Sequence, residues 1–136
     1  MPEPTLPSRL AIAQQFVIHI WHLDSGPAVA LLSPAVTYRV SGDHALAGTF
    51  SGPEEVTGHL CNLVQLTTGT LDAVKWDDWM VGEYHIAAWA DIHAQKEGRQ
   101  FSGRGLFLLR FDRDDKIDEV IVLFEDPPSV ERFFGK

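Results

Sequence analysis

Apolar residues at Leu10, Ala13, Phe16, Val17, Ile20 and Trp21 recur at the three- and four-residue spacing of one helix face. That spacing predicts an amphipathic first helix with Ser8 as its N-cap. The turn cluster Asp24-Ser25-Gly26-Pro27 stops it, and Pro27 opens a short second helix over residues 28–32 that Ser33-Pro34 ends. Val36 to Val40 alternates and is rich in β-formers, so it reads as a strand, with residues 41–48 as a loop. Ser51-Gly52-Pro53-Glu54-Glu55 supplies a cap residue, a first-turn proline and acids where the helix dipole favours them. Val56, Leu60, Leu63 and Val64 form the apolar stripe of that third helix, and Gly69 closes it.

Beyond residue 69 the pattern changes from helical to alternating. Four strands are predicted: Thr70 to Trp79, Tyr84 to Ala94, Arg99 to Phe111 and Lys116 to Phe124. Residues 95–98 and 112–115 carry turn chemistry, and connections this short force antiparallel neighbours. The expected fold class is therefore α+β, an antiparallel meander with the helices packed on one face. Two segments break the alternation. Leu106-Phe107-Leu108-Leu109 and Val120-Ile121-Val122-Leu123-Phe124 are apolar on both faces, so both faces of those strands must be covered. With the helices on one face, a second copy of the chain is the economical cover for the other, giving a homodimer through the outer sheet face.

Composition narrows the functions. The 136 residues are 45% hydrophobic and 22% charged, which suits one folded domain over residues 1–136. A net charge of -8 repels phosphate backbones and anionic lipid, so neither nucleic acid nor membrane is an expected partner. Cys61 is the single cysteine, which excludes an internal disulfide and a cysteine-based metal site. The apolar stretch from Leu10 to Leu23 is interrupted by Gln14, Gln15, His19 and His22, and no basic segment precedes it. No targeting segment is read there, and a reducing cytoplasm is the expected compartment. The six histidines form no metal-binding motif, and no phosphate loop or nucleophile elbow occurs. Gly103 and Gly105, flanking Arg104 mid-strand, are expected to bend the sheet.

The order of elements resembles the ketosteroid-isomerase-like, or nuclear-transport-factor-like, superfamily, and within it SnoaL-like domains. Carrying the likeness are Val29-Ala30-Leu31-Leu32 ahead of the strand Val36–Val40, the run from Leu46 to Val56, and Gly98-Arg99. Leu109-Arg110-Phe111, Lys116-Ile117-Asp118-Glu119 and Asp126 before Phe133-Phe134 complete it. The resemblance implies a cone-shaped curved antiparallel sheet, a cystatin-like roll, with N-terminal helices packed on its concave face around an apolar pocket. It also places pocket positions. Phe16 falls where ketosteroid isomerases carry the oxyanion-hole tyrosine, Val40 where they carry the base, and Phe107 where they carry a protonated aspartic acid. Val122 falls where SnoaL-type cyclases carry an aspartate. Without base or donors, steroid-isomerase chemistry by the standard apparatus is disfavoured.

The remaining polar candidates for catalysis are His59 and Tyr38. His59 matches a pocket-facing aromatic position of the isomerases and reads either as an acid or base or as a histidine at a helix edge. Tyr38 shares a strand face with Val40 and reads either as an oxyanion donor or as a packed tyrosine. Phe16, Val40, Phe107, Val120, Val122 and Phe124 are the expected pocket lining. On the second long strand, Asp91 and His93 face oppositely to Ala90 and Ile92; the family register turns Ala90 and Ile92 inward, and a one-residue bulge would reverse this. His44, beside Asp43, reads as a pocket-mouth residue or a solvated loop histidine. Two functions follow: binding of a small hydrophobic molecule with cofactor-free proton-transfer chemistry, meaning cyclisation, isomerisation or hydration, or a non-catalytic binding or dimerisation module.

Overall fold

Alternation in the second half of the chain becomes a curved sheet, and what covers its concave side decides the rest. A computed structural model describes residues 6–21, 25–67, 72–96 and 98–135. In chain order the elements are α1 (Leu6–Trp21), α2 (Ser25–Val29), β1 (Leu32–Val40), β2 (Gly48–Ser51) and α3 (Gly52–Thr67). There follow β3 (Asp72–Val81), β4 (His85–Lys96), β5 (Arg99–Phe111), β6 (Ile117–Phe124) and α4 (Pro127–Phe134). Sheet order is β2-β1-β6-β5-β4-β3.

The expected meander is β3 to β6, antiparallel throughout. The sheet as a whole is mixed, because β1 returns beside β6 in parallel, pairing Tyr38 with Val120 and Val40 with Val122. Register then aligns inward positions in rows across four strands. One row is Tyr38, Val120, Leu109 and Ile86; the next is Val40, Val122, Phe107 and Ala88. All eight are buried. β4 turns Ala90, Ile92 and Ala94 inward, so Asp91 and His93 face outward as the unbulged register requires. Asp91 pairs there with Arg104 at 3.2 Å, and that guanidinium lies 5.1 Å from the centre of the Trp89 ring.

Helices α1 and α3 cover one end of the concave face. Ala13, Phe16, Val17 and Ile20 of α1 and Val56 and Leu60 of α3 are buried in one cluster with Val36, Tyr38, Leu109, Phe111, Ile117 and Val120. The other end is closed by α4, an element the sequence pattern did not predict. Its Val130, Phe133 and Phe134 bury against Leu46, Ala90, Ile92, Ala94 and Phe101. Their spacing at i, i+3 and i+4 gives this eight-residue helix one fully apolar side, and Pro127 and Pro128 suit its first turn.

Other differences are local. α1 begins at Leu6, so Ser8 lies inside it and is not its cap. α2 is earlier than expected, and β1 starts at Leu32 and runs through Pro34; a register irregularity between Leu32 and Thr37 absorbs the proline's missing donor. The expected loop ends in β2, which pairs antiparallel with β1. At the start of α3 the Ser51 backbone N–H donates to Glu55 Oε1 at 2.8 Å, so a first-turn acid satisfies the donor just before the helix. Gly69, Thr70, His22, Asp24 and Glu97 lie outside the described residues.

One cation ties α1 to two chain reversals. Arg9 is nearly buried, pairs with Asp115 at 2.8 Å, and donates to the Glu83 carbonyl. Its guanidinium also lies 5.0 Å from the centre of the Tyr84 ring. Asp115 sits at φ 60° in the β5–β6 turn, where Asp112 Oδ1 accepts from the backbone N–H groups of Asp114 and Lys116. With side chains 10% and 17% exposed, this pair lies between the surface and buried limits. Arg9→Ala is expected to cost about 2–3 kcal/mol in urea denaturation. A loss below about 0.5 kcal/mol would reduce it to an ordinary surface pair.

Candidate functional site

Inside the cone the lining is almost wholly apolar. A partly open space of about 40 Å3 is bordered by Tyr38, Val40, His59, Phe107, Val122 and Phe124, with Ile20, Leu46, Leu63, Ile92, Phe101 and Phe134 completing its lining. Roughly 10–15 Å3 of such space holds one water, so it has room for about three or four waters as it stands. Of the expected lining, Phe16 and Val120 do not border it. Both are 0% exposed within the packed cluster that α1 and α3 form with the sheet, where they fill space rather than border it. The other expected positions, and both polar candidates, come together around the space.

The room comes from β5. On its inner face Phe101, Gly103, Gly105 and Phe107 succeed one another. A Cβ at Gly105 would come within 2.9 Å of Ile92 Cδ1 and 3.4 Å of the Leu123 carbonyl oxygen. The missing side chains let β4 and β6 side chains lean across the strand, which is how the sheet curves tightly here.

His59 projects from α3 between two rings. Its imidazole stacks on Phe50 of β2 with centroids 4.4 Å apart and meets Tyr38 of β1 at 5.2 Å. It is 6% exposed, and its Nδ1 has no hydrogen-bond partner. Burial, helped by the nearby His44, pushes its pKa down to about 4, so the ring is neutral near pH 7. Burial alone pushes the Tyr38 hydroxyl well above its usual range. The pair is thus a neutral imidazole and a neutral phenol facing an apolar space: it can accept and donate hydrogen bonds without carrying charge.

His44 is neither solvated nor at the cavity wall. Its Nε2 lies 3.1 Å from the Ser41 carbonyl, and its Nδ1 accepts from the Leu46 N–H at 3.2 Å. That assigns the proton to Nε2, and burial lowers its pKa. The ring packs between Phe124 and Phe134. It braces the 41–47 loop, whose Ala45 N–H donates to the Gly135 carbonyl beyond α4. Phe50, the ring that positions His59, was not singled out from the sequence; its place opposite Tyr38 depends on β2 pairing, which the pattern did not predict. Among the described residues no cluster of three acidic, histidine or cysteine side chains could hold a metal. Nor is any described helix long and apolar enough to cross a membrane.

Comparison with solved structures settles the fold. A protein of unknown function with a cystatin-like fold from Xanthomonas campestris is 26% identical, with TM-score 0.86 over 94% of this chain and 98% of that one. NTF2-like proteins from Burkholderia species match over nearly the whole chain as well. The chain has the NTF2-like, cystatin-like fold. Other proteins with this fold include one named a SnoaL-like polyketide cyclase, from Jannaschia sp., at 10% identity and TM-score 0.79 over 100% of this chain and 98% of that one. Another is TerC, co-crystallised with polyporic acid, at 11% identity and TM-score 0.81 over 94% and 98%. No protein-family model matches the chain, and no curated protein matches its sequence.

An orphaned, buried His59 makes stability depend on pH. Its folded pKa lies below the unfolded value, so the unfolded chain binds the extra proton. Stability is full above about pH 6.5 and falls as pH drops toward 4, by up to about 3 kcal/mol from this group. His59→Phe keeps the ring stack and removes the unpaired nitrogen. It is expected to stabilise the protein at pH 7 by about 1 kcal/mol or more. It should also flatten most of the loss between pH 6.5 and 4 in urea titrations; His44 leaves a smaller slope of the same sign.

Proposed function

We propose that the chain binds a small apolar molecule in the cone, with His59 and Tyr38 as the polar groups that orient it. The observation that carries this is the unpartnered Nδ1 of a 94%-buried histidine at the wall of an apolar space, where 6% of its surface stays exposed. Buried polar groups are normally satisfied, and an exception inside a cavity is a place for a ligand's hydroxyl or carbonyl. The fit requires lining side chains to move, since about 40 Å3 is far below the several hundred Å3 of typical ligand sites. Four phenylalanines, Phe101, Phe107, Phe124 and Phe134, supply walls that can turn aside.

A second reading, cofactor-free proton transfer, draws on the same nitrogen. A neutral imidazole is a base and a neutral phenol beside it a donor to developing negative charge. A pKa near 4 makes His59 a weak base, however, and Phe107 and Val122 bring no acid to help it. Binding is therefore the better-supported function; cyclisation, isomerisation or hydration would need the ligand to be an easily deprotonated or polarised one. SnoaL-like polyketide cyclase and TerC with polyporic acid lend the fold precedent for both.

The outer sheet face carries the remaining apolar residues, with Leu106, Leu108 and Ile121 half-buried and Leu123 43% exposed. β4, β5 and β6 hold Trp89, Leu106 and Leu123 in one cross-strand row and Ala87, Leu108 and Ile121 in the next. A second copy of the chain is the partner that buries these rows.

Thermal shift against hydroxylated and carbonyl-bearing aromatic compounds tests the binding. A compound at a hundred times its Kd should stabilise the protein by about 2.7 kcal/mol, and His59→Phe should weaken that compound at least tenfold. No shift from any compound, or equal shifts in the variant, would remove His59 from recognition. For the dimer, light scattering at micromolar concentration should give twice the 15.2 kDa chain mass, and Leu108→Glu with Ile121→Glu should halve it. A wild-type monomer would refute the outer-face interface.

A further inference from the structure

Phe101 belongs to two spaces at once. It lines both the inner cavity and a surface groove of about 350 Å3. Phe101 meets Phe133 at 5.6 Å between ring centres, and Phe133 meets Phe134 edge-on at 4.9 Å. Phe133 faces the groove and Phe134 the cavity. These three rings, one from β5 and two from α4, form the partition where the two spaces adjoin. The tip of the Phe101 ring lies over Gly103, where a Cβ would come within 3.0 Å of its Cζ, and no side chain at that position holds the ring in place.

The groove differs in chemistry from the cavity. Arg99, Gln100, Ser102, Ser129 and Arg132 line it beside the phenylalanines, and no acid is among them. Arg99 Nη1 donates to the Arg132 carbonyl at 3.1 Å, and Arg132 Nη2 donates to Ser129 Oγ at 3.1 Å. The Ser129 hydroxyl in turn donates to Asp126 Oδ2 at 2.5 Å, which brings one carboxylate to the groove's edge. On a chain of net charge -8, the groove's lining carries two guanidinium groups and no acid, with one carboxylate at its edge. Planar guanidinium forks suit a carboxylate.

Resting on the proposed apolar-ligand site, we infer that the ligand is an amphipathic acid. Its apolar body passes Phe101 into the cavity beneath His59, and its single carboxylate stays outside between Arg99 and Arg132. The partition opens by turning Phe101 away from Gly103, which joins groove and cavity into one passage with a charged mouth and an apolar end.

Decanoate and decanol, equal in chain length and different in charge, test this by calorimetry below the micellar range. The wild-type protein should bind decanoate at least tenfold more tightly than decanol, with the preference shrinking as salt rises. Arg99→Gln with Arg132→Gln should bind both equally, with decanol affinity within twofold of wild type. Phe101→Ala, or Phe101→Leu if the smaller residue unfolds the chain, should speed association of both in stopped-flow. Equal wild-type affinities, or a preference that survives the double substitution, would overturn the amphipathic-acid assignment. Unchanged association rates would overturn the route past Phe101. Binding of neither compound would instead overturn the apolar-ligand reading on which the inference rests.

Discussion

The interior depends on one non-local pairing, β1 laid parallel beside β6. A parallel neighbour cannot be reached by a hairpin, and here the connection includes β2, α3 and three long strands. The pairing puts Tyr38 in line with Val120 and Leu109 and puts Val40 in line with Val122 and Phe107. β2 then folds back on the free edge of β1, setting Phe50 opposite Tyr38. α3 leaves β2 at Gly52 and crosses the concave side, which lowers His59 between those two rings. Remove the β1–β6 register and neither polar group has a wall to stand in.

What that geometry leaves inside is charge-neutral. The chain is acidic overall, yet among the described residues the titratable side chains lining the cavity are a histidine held neutral and a tyrosine held neutral. An apolar enclosure strengthens a hydrogen bond made within it and makes an unmade one costly. His59 bears that cost in the absence of a ligand, whereas His44, a few residues before β2, has both nitrogens satisfied by backbone. Two histidines of one interior thus differ by their partners. One braces a loop, and the other keeps an unspent hydrogen bond.

Local patterns carried much of this into the sequence. The alternation and turn chemistry of residues 99–124 marked strands β5 and β6 to within a residue; period two groups Val122 with Phe124 on one face, but only the family resemblance turned that face and Phe107 inward. Helix α3 was legible from its proline and first-turn acids. The parallel return of β1 was not, because nothing in a strand's own residues names a partner 80 positions away. Helix α4 was hidden by its length: eight residues give one apolar side and no sustained period. Phe16 and Val120 resembled pocket positions, but whether an apolar side chain lines a void or fills it depends on what packs against it, which alternation does not encode.

The size of the cavity follows from the same inner strand. Between Phe101 and Phe107 the inward positions of β5 are glycines, so the sheet gives up two side chains in its middle. A flat sheet would leave a hole there of two missing residues. Curvature closes most of it, since Ile92 and Phe124 lean to within 2.9 and 3.6 Å of where a Gly105 Cβ would stand. The remaining space is walled by aromatic rings, which can turn about one bond without disturbing the backbone. Glycines and phenylalanines together make an interior that is small when empty. Acids at the Phe107 and Val122 positions would demand fixed partners or solvent and would hold such a cone open. Phe107 and Val122 make no such demand, and among the described residues lining the cone His59 Nδ1 stands without a partner.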